Sequence, residues 1–365
     1  MVDRHLPAAD FTRSPFIVIW EVTRACDLVC QHCRADAQHE RATDELTTEE
    51  GLDLLGHIRR EFGQVLMVFT GGDPLKRGDL PALISHATTL GLRTAITPSA
   101  TPLLDESALR ALRQAGISRV AVSLDGADAG THDAFRGVPG TFARTVTALR
   151  AARALGMEVQ VNTTFARHNL DQLAAIAQLV GFLDARLWSV FALVVTGRAE
   201  DGLLPSAVEH ERVYRQLAAL ALDPATTFDI KTTAGQPYYR VLDQRRAALL
   251  ARAGDGATIP QPRGRAPRTV NDGNGLVFIS HTGDISPSGF LPLVAGNVRT
   301  SQLAEVYRHH PLFVRLRAPA TFIGKCGRCD FQQRCGGSRS RAFAATGDPF
   351  ASDPTCIYRP PQLRV

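Results

Sequence analysis

The chain has 365 residues, 44% of them hydrophobic and 21% charged, with a formal charge of +5. That is ample for a buried core and ordinary for a soluble globular protein. Its opening residues, MVDRHLPAADFTRSP, hold no apolar h-region, and the longest unbroken apolar run, residues 190–195, is too short for a bilayer. No signal peptide and no membrane span are therefore expected, and a cytoplasmic protein follows by default. The basic balance suits a carboxylate-bearing substrate or an acidic electron donor as well as a plain basic surface. No Lys/Arg block is interleaved with aromatics, so nucleic acid is not an expected partner.

In chain order, apolar strand-like runs fall at 16–20, 65–69, 93–97, 119–124, 158–163 and 187–195. Each is rich in Val, Ile, Leu or Phe with little alternation, as in strands buried on both faces. Helical patterns lie between them. Residues 47–50 read as a capping box, Thr47 to Glu50, followed by Leu52, Leu55, Ile58 and Phe62 at helical spacing. Helices over 80–90, 105–115 and 141–155 end at Gly91, Gly116 and Gly156. Two more are expected over 170–183 and 208–220. Six strand–helix units predict an α/β fold with a parallel sheet, either doubly wound or an incomplete barrel. Periodicity does not choose between them. The expected division is 1–240 for this unit, 241–275 for a Gly-, Pro- and Arg-rich linker, and 276–365 for a smaller Cys-bearing unit opened by a hairpin around 281–284.

The seven cysteines are not scattered. Three lie at 26–33, four at 326–356, and none between. With no secretory signal a disulfide framework is not expected, and two metal sites are. The first group reads Trp20-Glu-Val-Thr-Arg-Ala-Cys26-Asp-Leu-Val-Cys30-Gln-His-Cys33 and follows the first strand, where parallel sheets carry their sites. Three thiolates hold three irons of a cubane and leave the fourth iron open to a ligand. Zinc would want a fourth ligand, and His32 is not expected to turn toward it.

Cys-x3-Cys-x2-Cys after a first strand resembles the signature of the radical S-adenosylmethionine (SAM) superfamily. The resemblance implies an incomplete (β/α)6 TIM-like barrel. It also implies a [4Fe–4S] cluster on Cys26, Cys30 and Cys33 that chelates SAM and cleaves it reductively to a 5′-deoxyadenosyl radical. A reduced flavodoxin or ferredoxin would supply the electron. Gly71, Gly72, Asp73 and Pro74 resemble that family's GGEP motif, with Asp for Glu. By the same resemblance Ser99, Ser123, Asp125, Arg136 and Asn162 are expected SAM contacts.

The tail holds Cys326, Cys329, Cys335 and Cys356. Four thiolates suit either a closed cubane or structural zinc, and spacing leaves both open. The segment is similar to the SPASM/Twitch extension, which implies one auxiliary [4Fe–4S] cluster on these four cysteines. Ser288 and Ser338 stand where relatives carry further cysteines, so a second auxiliary cluster is not expected.

The stretches at 20–26, 132–140, 162–164 and 344–348 resemble the branch that matures heme and heme d-type cofactors, which implies a propionate-bearing tetrapyrrole as substrate. Arg198 and Lys231 are candidates to reach a carboxylate, and Tyr238, Tyr239 and His281 to meet a tetrapyrrole. The alternatives are a peptide-modifying radical SAM maturase and a non-catalytic iron–sulfur electron carrier or sensor.

Overall fold

The computed structural model describes residues 10–253 and 270–363. Along the chain run β1 (Ile17–Glu21), α1 (Thr48–Phe62), β2 (Leu66–Thr70), α2 (Leu80–Thr89), β3 (Arg93–Ile96), α3 (Glu106–Gln114) and β4 (Arg119–Ser123). Two helices follow β4, α4 (Ala129–Arg136) and α5 (Thr141–Ala154). Then come β5 (Glu158–Phe165), α6 (Leu173–Phe182), β6 (Leu187–Ala192), α7 (Ala207–Ala221), β7 (Asp229–Thr233) and α8 (Pro237–Ala253). The C-terminal part adds β8 (Leu276–Ile279), β9 (Asp284–Ser286), β10 (Gly296–Asn297), α9 (Leu303–His309), α10 (Pro311–Leu316) and α11 (Arg339–Thr346).

All these strands form one sheet in the order β10-β9-β8-β1-β2-β3-β4-β5-β6-β7. From β8 through β7 every pairing is parallel. This is the open (β/α) barrel anticipated from the resemblance. It has two more parallel strands than the apolar runs suggest: β8, expected only in a hairpin, and β7, which reads Asp-Ile-Lys-Thr-Thr and offers only one large apolar residue. The hairpin of the C-terminal part does not stand alone. β8 lies beside β1, so the sheet runs straight across the expected linker. Residues 241–253, expected as linker, continue α8. The rest of that linker, 254–269, lies outside the described residues.

Side chains alternate across the sheet. Val18, Trp20, Met67, Phe69, Val120, Val122, Val161 and Trp188 point outward and are buried against the helices. The opposite set, including Ile19, Val68, Ser123, Gln160 and Lys231, faces the inside of the barrel and stays partly accessible. The helices begin and end as their sequences direct. Thr47 Oγ1 accepts from Glu50 N at 3.2 Å and Glu50 Oε2 accepts from Thr47 N at 2.8 Å. Gly91, Gly116 and Gly156 follow α2, α3 and α5. No helix among the described residues is long and apolar enough to cross a membrane.

Candidate functional site

The thiol loop, residues 22–39, crosses the C-terminal rim of the sheet and is held there by its neighbours. Gly72 N donates to Thr23 O at 2.9 Å and Asp73 N to Ala25 O at 2.7 Å. A Cβ at Gly71 would lie 2.4 Å from Thr23 O. Glycine is therefore required here by the approach of the thiol loop's own backbone, not only by a ligand. The loop after β6 closes the other side. Arg198 N donates to Cys33 O at 3.0 Å, and Arg198 Nε to Cys30 O at 3.2 Å. Arg198, read as a candidate for a substrate carboxylate, braces this loop through Nε and Nη1, while its Nη2 has no hydrogen-bond partner among the described residues.

Cys26, Cys30 and Cys33 are free thiols in one packed cluster with Leu28, Ala37 and Val138. Burial pushes Cys26 and Cys30 up, so a bound cation must favour their thiolates. Arg136 supplies part of that charge, with Nη1 3.8 Å from Cys30 Sγ. Its other amino group pairs with the fully buried Asp125. Burial disfavours that carboxylate, but Arg136 wins and holds it below the usual range. Asp125 Oδ1 also accepts from Thr164 N at 2.6 Å. His32 stacks on Phe135 at 3.9 Å, and burial pushes it down to about 3, so it stays neutral against the aromatic ring.

A pocket opens beside Leu28 of this loop. It is lined by Thr70, Gly71 and Gly72 after β2, by residues 97–100 after β3, by Ser123, and by His132, Arg136, Thr141 and Thr145 from α4 and α5. Of the expected SAM contacts, Gly71, Gly72, Ser99, Ser123 and Arg136 line it. Ser99 Oγ donates to Gly72 O at 2.8 Å and stands 3.5 Å from Cys26 Sγ. Asp73, Pro74, Asp125 and Asn162 do not line it. Asp73 Oδ1 accepts from Leu75 N and Ser99 N, and Oδ2 from Thr101 Oγ1 at 2.7 Å, tying the loops after β2 and β3 together. Pro74 is buried as the first residue of a 3₁₀ turn. Asp125 acts behind Arg136. Asn162 faces the barrel interior and accepts from Gln160 Nε2 at 2.7 Å. Thr141 and Thr145 were not singled out from sequence, since α5 reads there as an ordinary amphipathic helix.

The four cysteines of the second group, Cys326, Cys329, Cys335 and Cys356, share one pocket with Arg240, Lys325 and Tyr358. Burial raises Cys329 to about 11 and Cys335 well above its ordinary value. Asp353 N donates to Cys326 Sγ at 3.3 Å, and Gly337 N to Cys335 Sγ at 3.4 Å. Among the described residues no three His, Cys, Asp or Glu side chains converge on one metal ion. A cubane asks instead for thiols spread around a common space, one per iron, and both groups offer that donor set. Ser288 and Ser338 are buried but do not line the pocket. Ser338 caps α11 and Ser288 Oγ accepts from Phe290 N at 3.2 Å.

Tyr238 is buried in the main core and Tyr239 lies under Arg334, so neither offers a face to a tetrapyrrole. His281 does reach the rim. Its Nδ1 is 3.1 Å from Glu21 Oε1, while Arg34 Nη2 donates to Glu21 Oε2 at 2.6 Å. Burial works against the Glu21 carboxylate, yet Arg34 and His281 hold it below its ordinary range.

Residues 20–180 match the family model of the radical SAM superfamily. Over 352 residues the chain is 38% identical to the AdoMet-dependent heme synthase of Nitratidesulfovibrio vulgaris, with 95% of this chain and 93% of that protein covered. Over 373 residues it is 30% identical to the PqqA peptide cyclase of Rhodopseudomonas palustris, covering 100% and 93%. The crystal structure of Streptococcus suis SuiB bound to precursor peptide SuiA superposes with a TM-score of 0.73 at 17% identity, over 95% of this chain and 76% of that one, a likeness of fold.

Proposed function

The chain belongs to the radical SAM superfamily and is an enzyme that uses a [4Fe–4S] cluster and SAM, and on that premise we propose that it removes hydrogen from a propionate side chain of an iron tetrapyrrole. Cys26, Cys30 and Cys33 are the proposed cluster ligands, and Cys326, Cys329, Cys335 and Cys356 those of one auxiliary cluster. When bound, the first cluster with SAM supplies a deoxyadenosyl radical, and the second supplies a one-electron acceptor.

The chain's own residues do the rest. Gly71 and Gly72 shape the thiol loop and, with Ser99 and Ser123, offer the pocket its polar edge. Arg136 keeps a positive charge beside Cys30 and the pocket, where it favours the thiolate and a carboxylate ligand alike. Leu28 and the packed cysteine cluster shield Cys26 and Cys30 from water, while Cys33 stays partly exposed. The proposed units are a barrel that runs through α8, beyond the boundary at 240 expected from sequence, and an auxiliary unit over 276–365. An acidic one-electron donor of flavodoxin or ferredoxin type is the proposed partner.

The observation that carries the reaction type is the three-thiol loop opening onto a pocket built from the ends of β2, β3 and β4. The full-length likeness to a heme synthase supports the substrate class. The test is anaerobic reconstitution with iron and sulfide, then reductant and SAM, with and without an iron porphyrin bearing propionates. Deoxyadenosine and a decarboxylated porphyrin are expected from the native chain, and neither from the Cys26→Ala, Cys30→Ala, Cys33→Ala triple variant. SAM cleavage by that triple variant would overturn the site. Turnover of a precursor peptide with the porphyrin untouched would overturn the substrate.

A further inference from the structure

The barrel interior holds a cation that the pocket beside the thiols does not use. Along β7, Ile230 joins the core under the helices, and Thr232 Oγ1 donates to Gly235 O at 3.0 Å. Lys231 lies between them and therefore turns the other way, into the barrel. The sheet register sets it opposite Ser189 on β6, Ser189 opposite Asn162 on β5, and Asn162 opposite Ser123 on β4. These four side chains form one tier. Adjacent strands lie about 4.8 Å apart, so Lys231 stands three spacings, about 14 Å along the sheet, from Ser123 at the pocket.

Two observations in this tier point to an anionic ligand. Lys231 makes no ion pair or hydrogen bond to a carboxylate among the described residues, and the charge acting on it is that of Arg119, of like sign. Ser189 is fully buried and its Oγ has no hydrogen-bond partner. A buried hydroxyl is costly when unpaired, and the partly accessible Lys231 ammonium beside it is, like the hydroxyl, a donor. On the same inner face Ile19 pairs in register with Val68 and with Phe278, whose ring lies under the Arg34 guanidinium.

We propose that Lys231, with Ser189, binds a carboxylate of the substrate inside the barrel, and so fixes which side chain of a multi-carboxylate ring reaches the pocket beside Ser123. This rests on the tetrapyrrole reading and names the residues that recognise it.

The test is equilibrium binding by the reconstituted full chain of two probes, an iron porphyrin with four propionates and its tetramethyl ester. Lys231→Met is expected to weaken the tetra-acid by about 30-fold or more, as loss of a charged partner does, with little effect on the ester. Lys231→Arg should restore most of the affinity. Equal tetra-acid binding by Lys231→Met and the native chain overturns the assignment while leaving the tetrapyrrole reading standing. Failure of the native chain to bind either probe overturns the reading itself, and the assignment with it. Should Lys231→Met not fold, Ser189→Ala is the milder variant, expected to lose about fivefold. Unchanged affinity there overturns the shared anion site.

Discussion

Gly72 stands against the backbone of Ala25, so that a Cβ at residue 72 would lie 2.5 Å from the Ala25 carbonyl oxygen and 2.6 Å from that of Arg24. The loop after β2 is thus a template on which the thiol loop is laid. Gly72→Ala must push the two backbones apart, at a cost of about 1–3 kcal/mol typical of overpacking. The barrel core lies elsewhere and should survive. The expected outcome is native far-ultraviolet circular dichroism with iron content at the first site cut by half or more and SAM cleavage down at least tenfold. Native iron content and cleavage in this variant would show that the contact does not shape the site.

Arg136 couples the same loop to β4. It is the counter-ion of Asp125, which is fully buried, and a neighbour of Cys30. Arg136→Leu strands that carboxylate, and breaking a buried pair from one side costs about 3–5 kcal/mol. Asp125→Asn on top of it removes the stranded charge and keeps an acceptor for Thr164 N. Urea unfolding should therefore show the double variant more stable than Arg136→Leu alone. A double variant no better than the single would mean that the pair does not carry the stability of this corner.

Most strands and helices that place these residues are legible in the sequence as buried apolar runs closed by a cap or a glycine, but α4, which carries Arg136, is not among the helices the sequence predicts. The cysteines are legible as two groups because the chain carries none between Cys33 and Cys326. What escapes is what depends on register and on backbone-to-backbone contact. β7 is too polar to read as a buried strand because its Lys231 and Thr233 face a partly open interior. Arg198 reads as a free cation until the fold sets it under Cys30 and Cys33. Asn162 reads as a SAM contact, and only the pairing of β4 with β5 shows that it stands beside Ser123 on the inner face. Asp73 reads only as the Asp-for-Glu position of a GGEP-like motif, and the fold adds that its buried carboxylate, with three hydrogen bonds, ties two loops together.

Asp353 and Arg341 play the corresponding part for the second cysteine group. Asp353 accepts from Ser338 N at 2.9 Å, pairs with Arg341 Nε at 3.2 Å, and gives its own N–H to Cys326 Sγ. Arg341 reaches the carbonyls of Leu193 and Ala234 at the barrel rim. One buried pair therefore fixes the four-thiol pocket to β6 and β7. Arg341→Met should lower stability by about 3–5 kcal/mol and lower the iron bound by the C-terminal cysteines, with iron at the first site retained. Unfolding curves and iron analysis in a background lacking Cys26, Cys30 and Cys33 separate the two. Full iron loading there would show that the pocket is set without this strut.

The last expectation concerns pH. Lys231 is pushed from its ordinary 10.5 down to about 8, first by burial and then by Arg119 on β4. The other charged groups at that end are Glu158 on β5, paired with Arg119, and Asp229 on its own strand. The sign differs for binding and for stability. Below about pH 8 the free protein holds the ammonium that a carboxylate needs. Above it a proton must be taken up on binding, so affinity for a four-propionate porphyrin should fall as pH rises from 8 to 10. The propionates stay ionised throughout, leaving the lysine as the group that changes. For folding the order reverses. Between about pH 8 and 10.5 the unfolded chain binds the extra proton, so this group's contribution to stability rises with pH. Lys231→Arg keeps its charge over the whole window and should flatten both profiles. Porphyrin titrations and urea unfolding at pH 7, 8, 9 and 10 read the two slopes, and a native binding curve as flat as that of Lys231→Arg would remove Lys231 from the carboxylate site.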